Sequence, residues 1–124
     1  MPEMDEAVLK RILPHSIEAE QSVIGSMLMD KEAITIAAEQ ISGEDFYGKQ
    51  YGILFDAMQD LNDEGKPVDL VTLQERLKEK GAPPEIYSLE FIRDVMGAVP
   101  TSAHIKHYAA IVAEKSVLRK LIRV

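Results

Sequence analysis

The sequence predicts an all-α protein. Apolar residues recur at helical spacing in six segments, and no segment alternates apolar and polar residues over the length of a strand. Gly or Pro separates most of the segments, and the connections are short. The last segment runs for more than twenty residues without Gly or Pro. We therefore expect a compact bundle of about five short helices, followed by one long C-terminal helix.

The first segments are a tail and a helix. Residues 1–13 are expected to form a tail or weak helix, whose apolar residues are Val8, Leu9, Ile12 and Leu13. Pro14 ends it, and Ser16 is a good N-cap for a helix that extends to about Met29. The helix dipole favours acids near this N-terminus, where we expect two solvated carboxylates, Glu18 and Glu20.

Four further helices are predicted in the middle of the chain. Their approximate bounds are 31–41, 47–64, 70–80 and 88–96. Asp30 and Asp69 are expected caps, Gly65 and Gly81 are expected ends, and Pro83-Pro84 predicts a stiff loop. The last three of these helices are expected to have apolar faces that contact the core. These faces are Tyr51, Leu54, Phe55, Met58 and Leu61 in helix 47–64; Leu70, Leu73 and Leu77 in helix 70–80; and Leu89, Ile92, Val95 and Met96 in helix 88–96.

The long last helix changes its apolar face halfway along. Thr101 and Ser102 are expected to cap it, and its first half places on one side Ile105, Tyr108, Ala109 and Val112. In the second half that side carries Lys115, Arg119, Lys120 and Arg123, and the opposite side carries Val117, Leu118, Leu121 and Ile122. We expect the first half to pack on its own domain and the second half to meet a partner. Without a stop signal at its end, we expect a helix that is cut off in mid-course.

The charge and amino-acid composition argue against several classes of function. The net charge is −7, but residues from 101 onward hold five Lys or Arg against one Glu, so the first hundred carry −11. An acidic body argues against bulk nucleic-acid binding. The chain has no Cys, no apolar run of membrane-spanning length and no signal-peptide layout at its N-terminus. We expect a cytoplasmic protein without a membrane span.

Candidate chemical sites are weak. Neither G-x-x-x-x-G-K-[ST] nor G-x-G-x-x-G occurs, so we expect no ATP site in this chain. Asp60–Gly65 resembles half of a calcium loop, but Val71 stands where the bidentate Glu is needed. His104 and His107 lie three residues apart without a third ligand nearby in the sequence. We predict no catalytic, cofactor-binding or metal site, and expect a protein-binding domain.

Several stretches resemble the DnaB family of bacterial replicative DNA helicases. They are Pro14–Asp30 (PHSIEAEQSVIGSMLMD), Phe46-Tyr47 with Leu54–Met58, Gly65–Leu73, Pro100–Ile105, Tyr108–Val112 and Glu114–Arg119. They follow one another in the family's order over about residues 12–124. The resemblance implies an N-terminal domain that is truncated within a helical hairpin. Its parts would be the tail 1–13, a globular domain 14–100 and the hairpin's first arm 101–124.

The resemblance also implies partners. In this family, N-terminal domains pair through their hairpins, form a collar on a hexamer and dock the C-terminal domain of primase. The ATPase motor, which binds ATP and Mg²⁺ and drives DNA unwinding, would be absent from this chain, leaving a non-catalytic domain. Carried over by position, the candidates for the primase interface are Glu18, Phe91 and Ile122. The candidates for subunit pairing are Val117, Leu118 and Leu121.

One alternative comes from the basic side of the last helix. A small helical nucleic-acid-binding module would use Lys115, Arg119, Lys120 and Arg123. Four cations suffice for a weak, salt-dependent phosphate contact but not for sequence specificity. Under the helicase interpretation, we expect single-stranded DNA to bind weakly if at all.

Overall fold

The computed structural model describes residues 13–99 and 101–122, and within them it is entirely helical. The elements are α1 (Ile17–Met29), α2 (Lys31–Ala38), a 3-10 turn (Gly43–Asp45), α3 (Lys49–Asp63), α4 (Leu70–Glu79), α5 (Pro84–Tyr87), α6 (Leu89–Gly97) and α7 (Ile105–Leu121). The all-α prediction is confirmed. The predicted tail lies outside the described residues except for Leu13. None of the described helices is long and apolar enough to span a membrane.

Most helix ends follow the predicted signals. The side chains of three N-cap residues accept backbone N–H bonds of 2.9–3.2 Å, and these residues are Ser16, Asp30 and Asp69. Gly65 and Gly81 follow α3 and α4 with φ of +73° and +74°, a left-handed conformation that Gly adopts without strain.

Two predictions about helix boundaries are wrong. Thr101 and Ser102 do not cap the last helix, which begins at Ile105; the Thr101 hydroxyl instead accepts the Ala103 N–H at 3.1 Å in the preceding turn. The expected stiff loop at Pro83-Pro84 contains a helix, because Pro84 occupies the first position of α5, where a missing N–H costs nothing.

The core surrounds α1, which packs against α2, α3, α6 and α7. Its fully buried side chains include Val23, Ile24 and Met27. The predicted core face of α3 is confirmed, since all five of its members are buried: Tyr51, Leu54, Phe55, Met58 and Leu61. On α6, Ile92 and Val95 are buried as predicted. Leu89 is exposed instead, because it is the first residue of the helix and lies at the edge of the core.

Gly25 allows α1 to approach the end of α6. A Cβ atom at this position would lie 2.8 Å from Val99 Cγ2 and 3.0 Å from the carbonyl oxygen of Val95. One of these neighbours is a stiff β-branched side chain and the other is backbone, so neither moves cheaply. Gly25 therefore sets the spacing between α1 and the segment that leads to α7.

We expect Gly25→Ala to lower the free energy of unfolding by about 1 kcal/mol, because overpacking costs more than the gain in helix propensity. Urea denaturation followed by circular dichroism measures the change. Gly97→Ala is the matched control, since nothing lies within 4 Å of a Cβ at that position. An equal or higher stability of Gly25→Ala would contradict this account of the packing.

Candidate protein-docking site

Four exposed apolar side chains lie at the C-terminal end of α7 and just beyond it. These residues, the terminal patch, are 37 to 73% exposed and comprise Val117, Leu118, Leu121 and Ile122. The core side of the same helix buries Ile105, Ala109, Val112 and Ser116. The helix therefore packs on its own domain along one side and presents apolar side chains to solvent along another. An apolar cluster of this kind is typical of a surface that contacts another protein.

A hydrogen-bonded cluster ends the buried stripe of α7. The Ser116 hydroxyl donates to Asp45 Oδ1 at 2.7 Å, and Lys120 Nζ lies 3.5 Å from the same oxygen. Burial raises the pKa of Asp45, but hydrogen bonds from Ser116 and the Ser42 N–H, together with the charge of Lys120, outweigh it and leave the pKa lowered. Asp45 is therefore held as a carboxylate that attaches α7 to the 3-10 turn.

Arg119 connects α7 to two other parts of the domain. Its Nη1 donates to the carbonyl oxygen of Pro14 at 2.8 Å, and its Nη2 donates to that of Asp45 at 2.6 Å. The guanidinium also lies 5.6 Å from the centre of the Tyr47 ring, on which His15 stacks at 4.0 Å. Arg119 thus holds the start of the described chain, the 3-10 turn and α7 together.

Two of the four residues predicted to face DNA take part in these intramolecular contacts. Arg119 and Lys120 have the intramolecular partners given above, and Lys115 is half-buried. Arg123 lies outside the part of the chain that the structure describes. Contact of this basic side with DNA stays a prediction.

Among the residues singled out in the sequence, Glu20 has the surroundings that differ most from the prediction. It is only 1% exposed, so the prediction of a solvated carboxylate is wrong. Its Oε2 accepts the Tyr47 N–H and its Oε1 accepts the Gly48 N–H, both at 2.9 Å. Gly48 is the N-cap of α3 and has no side chain that could accept a hydrogen bond there. The Glu20 carboxylate, which belongs to α1, instead accepts the backbone N–H groups at the start of α3. A signal was present in the sequence, because Glu20 falls on the same helical stripe as Ile17 and Ile24.

The primase-interface candidates fall into two places. Glu18 is exposed beside a groove of about 450 Å³ between α1 and α7, whose lining includes Gln21 and Tyr108. Gln21 Nε2 donates to the Tyr51 hydroxyl at 2.9 Å, and the Tyr51 ring stacks on half-buried Phe91 with ring centres 6.1 Å apart. Gln21, which lines the groove together with Glu18, is therefore connected to Phe91 through Tyr51.

Ile122 lies apart from that chain of contacts, in the terminal patch. The candidates for subunit pairing, Val117, Leu118 and Leu121, form the rest of that patch.

The structure brings no metal ligands together in residues 13–99 and 101–122. No three His, Asp or Glu side chains there are placed to hold an ion. His104 and His107 lie against the Tyr108 ring, with ring centres 6.3 and 6.2 Å from it.

The fold and the exposed surfaces together define a small helical domain that is suited to contacts with other proteins. A family model described as the DnaB-like helicase N terminal domain matches residues 12–114. The chain belongs to that family. It is 40% identical over 120 residues to the replicative DNA helicase DnaC of Bacillus subtilis, and 44% identical over 120 residues to the replicative DNA helicase DnaB of Geobacillus stearothermophilus. Each alignment covers 97% of this chain and 26% of the relative, so the chain spans about a quarter of their length.

Solved structures of N-terminal DnaB domains share the fold. The domain from Mycobacterium tuberculosis matches with a TM-score of 0.84 and 38% identity, covering 88% of this chain and 79% of that one. The domain from Helicobacter pylori matches with a TM-score of 0.73 and 20% identity, covering 95% of this chain and 89% of that one.

We expect Glu20→Gln to lower the free energy of unfolding by about 2 kcal/mol, because two charge-assisted hydrogen bonds lose the carboxylate. Urea denaturation at neutral pH measures the effect. Glu18→Gln is the matched control on the exposed side of the same helix and should change stability by less than about 0.5 kcal/mol. Equal effects of the two substitutions would show that the bonds to Tyr47 and Gly48 do not stabilise the fold.

Proposed function

We propose that this chain is the assembly and primase-docking domain of a bacterial replicative DNA helicase. The observation that supports the proposal best is the terminal patch, an apolar surface on a helix whose other side is already packed. Membership of the DnaB-like N-terminal family supplies the context for that surface. The domain then acts by holding other proteins, with no reaction of its own.

Pairing between subunits is the first role. Equivalent helices from two copies would bury their terminal patches against one another, as in an interface with two-fold symmetry. Leu121 is the best central contact, because it is 73% exposed and carries a large apolar side chain. Burial contributes roughly 25 cal/mol per Å² of apolar surface, from which the cost of association is subtracted. Three such pairs would build the collar of a hexamer.

Primase docking is the second role. The H. pylori N-terminal domain has been described together with its interactions with primase. In the present chain, Glu18 supplies an exposed acid beside the groove between α1 and α7, and Phe91 supplies a half-buried aromatic ring. An aromatic residue of this kind is a frequent energetic centre of an interface. We propose that the C-terminal domain of primase contacts Glu18, Phe91 and Ile122.

The parent protein would carry out the reaction. Its relatives are replicative DNA helicases, and we propose that duplex unwinding, ATP binding and Mg²⁺ binding belong to the part of their length that this chain does not cover. The parent would act on the chromosome in the bacterial cytoplasm. Single-stranded DNA would bind this domain weakly, because Arg119 and Lys120 have intramolecular partners.

Substitution of the terminal patch tests subunit pairing. We expect Leu121→Glu to shift the 124-residue chain towards monomer in sedimentation velocity, because a buried unpaired carboxylate opposes association. Val71→Glu is the matched control, since Val71 is also apolar and 69% exposed but lies on α4. Wild type that stays monomeric at the highest concentration would contradict pairing through this surface, as would equal effects of the two variants.

Calorimetric titration with the C-terminal domain of primase tests docking. We expect Phe91→Ala to weaken binding by about tenfold or more, since loss of an interface aromatic typically costs over 1 kcal/mol. Leu89→Ala is the matched control, because Leu89 is an exposed apolar residue on the same helix. Circular dichroism of each variant checks that the fold is retained. Wild type that gives neither heat nor a complex on gel filtration would overturn the docking proposal.

A further inference from the structure

The attachment of α7 to its domain changes in character along the helix. Its first half buries three apolar side chains in the core, those of Ile105, Ala109 and Val112. From residue 114 to residue 122, by contrast, Ser116 is the single buried side chain, and the apolar side chains are exposed. The second half of the described helix therefore depends mainly on polar contacts for its attachment.

These polar contacts converge on Asp45 of the 3-10 turn. Its Oδ1 accepts the Ser116 hydroxyl at 2.7 Å and lies 3.5 Å from Lys120 Nζ. Its backbone carbonyl oxygen accepts a bond from Arg119 Nη2 at 2.6 Å. Ser116, Arg119 and Lys120 are spaced i, i+3 and i+4, so they lie on one side of α7. One residue of the turn thus contacts all three.

The 3-10 turn is itself packed closely on α3. A Cβ atom at Gly52 of α3 would lie 2.5 Å from the carbonyl oxygen of Gly43, so a larger residue would not fit between the two backbones. Phe46, which follows the turn, is buried, and its ring centre lies 5.3 Å from that of Phe55. Asp45 therefore offers α7 a contact point that is fixed to the core of the domain.

The terminal patch lies on the same part of the helix. Its residues Val117, Leu118 and Leu121 are interspersed in the sequence with the three residues that contact Asp45. Movement of this part of α7 relative to the domain would therefore move the patch as well. A partner would then bind one of several orientations of the patch, and the loss of that freedom would oppose association.

We propose that Asp45 is a positioning residue for the terminal patch, because its contacts with α7 hold the patch in the orientation that a second copy of the chain meets. The inference rests on the pairing role proposed above. Asp45 lies outside the patch, so its substitution leaves the four apolar side chains unchanged. Arg119 bonds only to backbone carbonyl oxygens and keeps both when the Asp45 carboxylate is removed. The end of α7 would then loosen without detaching.

Hydrogen exchange followed by mass spectrometry tests whether Asp45 holds this part of α7. The protein is diluted until it is monomeric, so that pairing does not protect the patch. We expect Asp45→Ala to speed exchange across residues 117–121 by about tenfold, because a hydrogen bond to a charged group typically contributes such a factor to a local opening equilibrium. Exchange within α1, which reports opening of the core, should not change. Glu44→Ala is the matched control, since Glu44 is an exposed acid of the same turn.

Sedimentation velocity at higher concentrations tests the effect on pairing. We expect Asp45→Ala to raise the dimer dissociation constant by about threefold or more, because ordering the loosened end of α7 adds an entropic cost to association. Glu44→Ala should leave the dissociation constant unchanged. Asp45→Asn retains an oxygen that can accept the Ser116 hydroxyl, so it should restore much of the slow exchange and of the pairing.

Three results would overturn the proposal. The first is equal exchange of residues 117–121 in the wild type and in Asp45→Ala, and the second is faster exchange with an unchanged dissociation constant. The third is faster exchange throughout α1, because Asp45 would then support the whole fold instead of the patch. A wild type that stays monomeric would contradict the pairing role alone, and the exchange comparison would still decide whether Asp45 positions the patch.

Discussion

The arrangement of this domain depends on one buried carboxylate. Glu20 lies in the central helix α1, yet both of its oxygens accept backbone N–H groups at the start of α3. A buried charge without partners would be strongly unfavourable, so the two elements must meet where these bonds can form. The bond to the Tyr47 N–H also positions the residue whose ring contacts His15 and Arg119. Through Arg119, the start of α3 is thereby connected to α7.

The two sides of α7 differ because the side that carries Ser116 and Arg119 is bonded to the domain, whereas the terminal patch is exposed. Ser116 and Arg119 attach the helix to Asp45, and Arg119 also attaches it to Pro14. These bonds hold α7 to the domain near Ser116, which is the last buried residue of the helix. The terminal patch can then stay exposed without loosening the helix from its domain. A partner would meet a surface that is already in place, which reduces the ordering cost of association.

The sequence predicts the parts of this fold that depend on local patterns. Helical spacing identified the core face of α3, and Ser16, Asp30 and Asp69 were sufficient to place three helix starts. The errors occur where distant or competing bonds decide the outcome. Thr101 bonds within a turn instead of capping α7. The partners of Glu20 and Arg119 lie 27 to 105 residues away in the sequence, and no periodicity encodes a bond over that separation.

The basic side of α7 shows why a helical wheel alone does not separate two functions. On the wheel, Lys115, Arg119 and Lys120 form a cationic face that would suit a phosphate backbone. In the fold, the Arg119 guanidinium donates to two carbonyl oxygens, and such donors would have to be released before they could bind phosphate. The positive charge of Lys120 helps to lower the pKa of Asp45, which keeps that carboxylate ionised. Arg119 and Lys120 therefore stabilise the attachment of α7 to its domain, and the apolar residues of the terminal patch remain exposed.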